Sequence, residues 1–227
     1  MIKRKPPKRK IVTAPYQCAK DCIGQIDHGC SIIGVTKGQF SLLDLIRAVV
    51  DQTGPANLTA STWSTGIKDT HNIGTLIDKG MFTSVRLCLD RSFSGRQPKY
   101  VSEVIETWGE ENIRMTRNHA KFFLLRNKEW NICSRSSMNL NKNPRLEQFD
   151  IDDNLELCEF FENIINDIFE KMPPGLTKRV KKCDQVFPQL LGGGISDQYN
   201  QEDIMKDWAT LESDMCEDIG RWGKPDR

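Results

Sequence analysis

The order of segments along the chain predicts an α/β fold, a mixed, largely parallel sheet flanked by helices. Three observations carry this. Short β-branched runs alternate with amphipathic ones from about residue 30 to 171. Gly or Pro punctuates several of the junctions between them. Hydrophobic residues make up 38% of the 227, enough for a core and too many for a disordered chain.

Taken in order, Tyr16 to Gln25 reads as a short helix with Cys18 and Cys22 on one face. Cys30-Ser-Ile-Ile-Gly-Val-Thr36 suits a buried strand. Ser41 stands as an N-cap before the helical stripe Leu42, Leu43, Leu45, Ile46, Val49 and Val50. Gly54-Pro55 breaks the chain, and Asn57 to Trp63 is the next strand. Strand, helix, strand in succession is the sign of a parallel sheet covered by helices. The rhythm continues with a helix over Asn72 to Lys79, ended by Gly80, and a strand over Ser84 to Leu89. Val101 to Trp108 is helical and Ile113 to Thr116 a brief strand. Ala120 to Leu125 and Trp130 to Ser134 are adjacent strands joined by the polar turn Arg126-Asn-Lys-Glu129, and Gln148 to Ile151 is one more. Asn154 to Lys171 is the clearest helix, with Leu155, Cys158, Phe161, Ile164, Ile165 and Ile168 on one side, stopped by Pro173-Pro174-Gly175.

This rhythm gives three parts: a flexible basic arm over 1–15, the α/β domain over 16–190, and a Gly hinge with an acidic tail over 191–227. Lys plus Arg is 32 and Asp plus Glu is 31, a net charge of +1 that excludes a uniformly basic nucleic-acid magnet. The charge is polarised instead. Lys3, Arg4, Lys5, Lys8, Arg9 and Lys10 face no acid in the first ten residues, whereas 195–227 is acidic and holds Trp208 and Trp222. The arm reads either as a salt-sensitive phosphate binder or as a solvated tag. Lys178-Arg-Val-Lys-Lys182 is a second basic cluster. Gly192-Gly-Gly194 is a linker and not a phosphate loop, because no Lys-Ser/Thr follows it. No apolar run approaches the roughly 18 residues that cross a bilayer, so no membrane insertion is expected. Ile11 to Gln17 gives the basic start no apolar h-region, and the chain is read as cytoplasmic. The eight cysteines at irregular spacing are then reduced thiols.

The chemistry concentrates in a short stretch. His119-Ala-Lys121 opens a strand, Ser136-Ser-Met-Asn139 follows the next, and Glu147 comes after Asn143-Pro-Arg-Leu. This order resembles the phospholipase D superfamily, whose mark is H-x-K, then G-S-x-N and a later Glu. The loose likeness runs from about 30 to 171 and the specific one from 119 to 147. The resemblance implies a metal-independent phosphodiesterase, with no cofactor and no metal. His119 would be the nucleophile, or the acid for the leaving group. Lys121, two residues along, leaves from the same face and offsets phosphate charge. Ser137 and Asn139 would donate further hydrogen bonds, and Glu147 would orient the His119 ring.

In that superfamily two H-x-K copies face each other, whereas His119 lies in the only one here. The resemblance therefore implies a homodimer. The single-copy branch is rich in nucleases, which ranks nucleic acid above lipid as substrate. The family Asp five residues after the Lys falls at Arg126, and Ser136 replaces the first Gly of G-S-x-N. These departures leave an alternative: a catalytically inactive protein of the same fold that binds nucleic acid or a protein partner.

Three other features lie outside this stretch. Cys18, Cys22, His28 and Cys30 match zinc donors but not a standard spacing, and buried reduced thiols are the preferred reading. His71 reads as a loop residue or helix cap. Ser61-Thr-Trp-Ser-Thr-Gly66 lies where a strand leaves the sheet at its carboxyl end, so its hydroxyls either line a phosphate pocket or form a simple turn.

Overall fold

A computed structural model describes residues 8–13 and 18–176, all in one compact unit. The basic cluster at 178–182, the glycine hinge and the acidic tail lie outside the described residues.

Among the described residues eight strands form one sheet: β1 (Lys8–Thr13), β2 (Cys30–Thr36), β3 (Ala56–Thr62), β4 (Phe82–Asp90), β5 (Ile113–Thr116), β6 (Lys121–Arg126), β7 (Asn131–Ser136) and β8 (Glu147–Asp153). Their order across the sheet is β1-β2-β8-β7-β6-β3-β4-β5. Pairing is parallel for β1–β2, β3–β4 and β4–β5, and antiparallel for the four steps from β2 to β3. Six strands therefore run one way, and only β6 and β8 are reversed. The expected mixed, largely parallel sheet holds in strand direction. The strand-helix-strand unit differs from expectation in one respect. β2 and β3 run in the same direction, but β8, β7 and β6 stand between them.

The helices are α1 (Ala19–Ile23), α2 (Leu42–Thr53), α3 (Ile67–Asp78), α4 (Phe93–Arg96), α5 (Val101–Trp108) and α6 (Leu155–Lys171). One face of the sheet carries the main core, in which Ile32, Leu58, Leu87, Phe123, Leu125 and Phe149 meet apolar side chains of α1, α2, α3 and α5. Alternation along β6 sends Phe122 and Leu124 to the opposite face, where Phe122 packs on Phe161 of α6 with ring centroids 4.6 Å apart. Both faces of β6 are thus buried, as its unbroken apolar run requires.

Local chemistry fixes the helix starts. Ser41 accepts from the backbone N–H of Asp44, whose carboxylate takes the Ser41 N–H in return, closing a capping box on α2. Asn154 accepts from Leu157 N at 3.1 Å and caps α6. On β2, a Cβ at Gly34 would fall 2.3 Å from the Phe149 ring and 2.9 Å from Val12, so only glycine lets β1 and β8 close on both sides.

Two local expectations are corrected. Residues 8–13, expected in a flexible arm, form the edge strand β1. Ile11, Val12 and Thr13 are β-branched in a row, and the strand pairs with β2 from Lys8↔Cys30 to Thr13↔Val35. Lys10, though exposed, donates to the Ile23 carbonyl at 2.6 Å. His71, expected in a loop, lies on α3, because that helix begins at Ile67 and not at Asn72. Its N-cap is Gly66, which offers no side-chain signal.

Candidate active site

The strand directions bring the expected residues to one end of the sheet. Ser137 and Asn139 follow the carboxyl end of β7, while Lys121 and Glu147 open the reversed strands β6 and β8. His119 stands in the loop between β5 and β6. Carboxyl ends of parallel strands are where open α/β sheets bind ligands.

His119 is exposed and Lys121 is 8% exposed. The Lys121 ammonium lies 2.9 Å from Nδ1 and 3.1 Å from Nε2 of His119. An ammonium only donates, so the ring nitrogen that accepts from it carries the lone pair. Burial lowers the Lys121 pKa, and the Glu147 carboxylate opposes that shift. Ser137 donates its hydroxyl to Glu147 and accepts from Gln148 N at 2.9 Å. Glu147 therefore acts on Ser137 and, through space, on Lys121; no described hydrogen bond joins it to His119. The Asn139 side-chain oxygen lies 3.4 Å from the Thr62 hydroxyl, and its main-chain carbonyl accepts from Leu42 N at the start of α2.

The sequence reasoning missed the residues that hold His119 in place. Asn118 is buried, and its amide donates to Ser61 Oγ at 2.9 Å and to the Thr62 and Cys88 carbonyls, both at 3.2 Å. Its side-chain oxygen accepts from Ala120 N at 3.0 Å, and Ser61 Oγ donates to the Ala120 carbonyl at 3.0 Å. Asp90, at the end of β4, accepts from Asn118 N at 2.9 Å. Both chain neighbours of His119 are thus pinned to β3 and β4. The signal available was an Asn immediately before H-x-K, next to a hydroxyl pair at a strand end. The Ser61 hydroxyl is committed to this bracing, whereas the Thr62 hydroxyl donates to the Ser64 carbonyl and accepts from Leu140 N.

Arg126 closes the opposite end of β6, beside Asn131 at the hairpin, about 16 Å along the strand from Lys121. It pairs with Glu162 of α6, which also binds Arg86 at 3.1 Å. The substitution at this position is an anchor for α6 and does not touch the site.

The four zinc-type residues are placed apart in character. Cys18 is exposed at the start of α1, whereas Cys22 and Cys30 are buried, and burial pushes the Cys30 thiol up to about 11. His28 stacks on Trp130 at 3.9 Å and faces Asp153 at 3.4 Å. Among the described residues no group of three His, Cys, Asp or Glu is arranged to hold a metal.

The chain is similar to several solved structures. Nuc from Salmonella typhimurium, a phospholipase D family member, aligns at 13% identity over 63% of this chain and 96% of its own, with a TM-score of 0.48. NucT from Helicobacter pylori aligns at 12% identity over 63% and 99%, with a TM-score of 0.48. Phosphatidylserine synthase from Haemophilus influenzae aligns at 15% over 82% and 46%, with a TM-score of 0.47. No family model and no curated protein matches the sequence. No described helix is long and apolar enough to cross a membrane.

Proposed function

We propose that the chain is a metal-independent phosphodiesterase acting on nucleic acid, with His119 as nucleophile and two copies of the chain forming the working unit. The observation that carries this is the contact between the buried Lys121 ammonium and the exposed His119 ring, within hydrogen-bond distance at the carboxyl end of the strands.

The side chains divide the work as follows. A His119 ring nitrogen gives its lone pair to phosphorus, a P–N bond forms, and the P–O bond to the leaving nucleoside breaks. The leaving oxygen takes a proton from His119 of the partner subunit, which a homodimer supplies. Water then attacks the phospho-histidine, loses its proton to that same group, and the P–N bond returns its electrons to His119. Lys121 moves its contact from the ring to the phosphate oxygens and offsets their charge. Ser137 and Asn139 border the phosphate, and Glu147 keeps Lys121 charged and Ser137 oriented.

The alternative, binding without turnover, drew on Arg126, and the Arg126–Glu162 pair lies at the far end of β6. The test is cleavage of labelled single- and double-stranded DNA and RNA in excess EDTA, wild type beside His119→Ala. Cleavage that survives EDTA and vanishes in the variant is expected. Equal activity in the two proteins removes His119 as nucleophile, and no activity in either leaves the binding alternative.

A further inference from the structure

A phosphate site needs a nucleophile and cations; it has no use for an indole. Yet Trp63, half-buried where β3 leaves the sheet, sets its ring centroid 6.0 Å from that of His119, with the planes tilted by 56°. Arg96, exposed on α4, lies over the Trp63 ring with Cζ 3.7 Å from its centroid. The guanidinium is tethered on two further sides. Its Nη2 donates to the Trp63 carbonyl at 3.0 Å, and its Nε donates to Ser92 Oγ at 2.8 Å. Ser92 donates its hydroxyl and its backbone N–H to Asp90 Oδ1, the latter at 2.9 Å. The other oxygen of Asp90 accepts from Asn118 N, the residue before His119. One carboxylate therefore fixes both the Trp63–Arg96 stack and the loop that carries His119.

We propose that Trp63 and Arg96 form a nucleobase platform, and that the substrate is a polynucleotide presenting an unpaired base next to the scissile phosphate. This rests on the phosphodiesterase reading above and narrows its substrate. A planar guanidinium held against an indole offers a flat, polarisable, cationic surface, which matches the face of a heterocycle and tolerates any base. Because three contacts already hold Arg96, little side-chain freedom remains to be lost when a base lies on it. A base inside a duplex is stacked between its neighbours and must be extruded first, so the platform favours single strands. A phospholipid headgroup has no flat aromatic heterocycle to place there.

The experiment measures binding, in EDTA, to three fluorescein-labelled probes: a short single-stranded oligodeoxynucleotide, its duplex, and an abasic strand of the same length. His119→Ala serves as the background so that nothing is cut. Into it go Trp63→Leu, Arg96→Gln and Arg96→Lys. On the single strand each is expected to weaken binding about 10-fold, the order that one stacked base contributes. On the abasic strand each is expected to change binding by less than about twofold, because no base is there to lose. Arg96→Lys keeps the charge and loses the plane, so it should follow Arg96→Gln, which a simple phosphate contact would not do. Equal losses on both strands, no loss on the single strand, a duplex bound as tightly as the single strand, or no measurable binding to any probe would each overturn the platform. The EDTA cleavage test reads the other proposal separately. Base-dependent losses without cleavage keep the platform and remove the enzyme, and cleavage without base-dependent losses does the reverse.

Discussion

The Asn118 amide donates to Ser61 Oγ at 2.9 Å, joining the residue before His119 to a strand formed almost sixty residues earlier. That hydroxyl in turn donates to the carbonyl on the other side of His119. The ring is therefore positioned by two main-chain neighbours held in a buried network. Asn118→Ala should lower the cleavage rate about 10- to 100-fold, since a small misplacement of a reacting group is that costly. It should also cost about 1–3 kcal/mol in unfolding free energy, from the buried groups left unpaired. Steady-state rates beside urea unfolding would check both. Wild-type rates in a destabilised variant would show that the network holds the fold and not the ring.

Lys121 gives a pH dependence. Burial lowers its pKa below the ordinary 10.5, so its ammonium, and the rate that depends on it, disappears as pH rises through that lowered value. The alkaline limb of the rate profile should lie below pH 10.5. Lys121→Arg, which stays charged, should move that limb upward even where it lowers the maximum rate. An alkaline limb that Lys121→Arg leaves in place would assign it to another group.

Glu162 offers a control away from the site. Its carboxylate faces both Arg86 and Arg126, each about a quarter exposed. Glu162→Gln leaves two guanidinium groups facing each other and should cost about 1–2 kcal/mol of stability, measured by chemical unfolding. The rate at a temperature where the variant is folded should equal that of wild type. A large loss of rate would connect this end of β6 to the chemistry after all.

Asp69, in the first turn of α3, is raised from 3.8 to about 6 by burial and by the nearby Asp44. Folding favours its protonated form, so the ionised form costs stability above about pH 6, and that cost fades as pH falls towards 3.8. Asp69→Asn should accordingly stabilise the protein by roughly 1 kcal/mol above neutrality, a figure discounted for the partial exposure of the group. The gain should vanish near pH 3.8. Thermal unfolding at the two extremes of pH checks this, and a gain that is the same at both would point to packing.

Pairing of two His119 side chains requires a twofold assembly, so light scattering should give twice the chain mass of 26.0 kDa at working concentration. Mixing His119→Ala with wild type should lower activity more steeply than simple dilution. A strict monomer would end the two-histidine mechanism.

Much of the fold was legible because local chemistry repeats the global answer. The bounds of β2 were readable to the residue, because Cys30 to Thr36 is a clean β-branched run between glycine-bearing loops. The start of α2 was readable from Ser41, an N-cap residue directly before the helical stripe, and its reciprocal bond with Asp44 came only with the structure. Strand direction was not. Periodicity has no sign, so nothing in Lys121–Arg126 or Glu147–Asp153 tells that these two strands run backwards. β1 was hidden because its first three residues are charged, which an edge strand tolerates and a flexible arm shares. At the site, the pair His119 and Lys121 was legible only together with Ser137, Asn139 and Glu147, through the family resemblance that their order carries. Asn118, Asp90 and Arg96 were not, because their partners lie dozens of residues away and only the folded chain brings them near.

The strand order has a consequence for how the protein is made. Of the described strands, β1 and β2 come earliest in the chain and have each other as partners, and β3, β4 and β5 pair among themselves. No strand pairing joins the two groups until residues 121–153 have been synthesised, because these supply the three consecutive antiparallel strands that stand between them. Until then β2 and β3 each lack the partner, β8 or β6, that covers one edge in the finished protein. Such edges invite pairing with other chains, so folding yield should be most sensitive to chaperones and crowding during translation of that late wedge. The same wedge delivers Lys121, Ser137, Asn139 and Glu147. The segment that covers the two inner edges is thus the one that carries the residues of the candidate site.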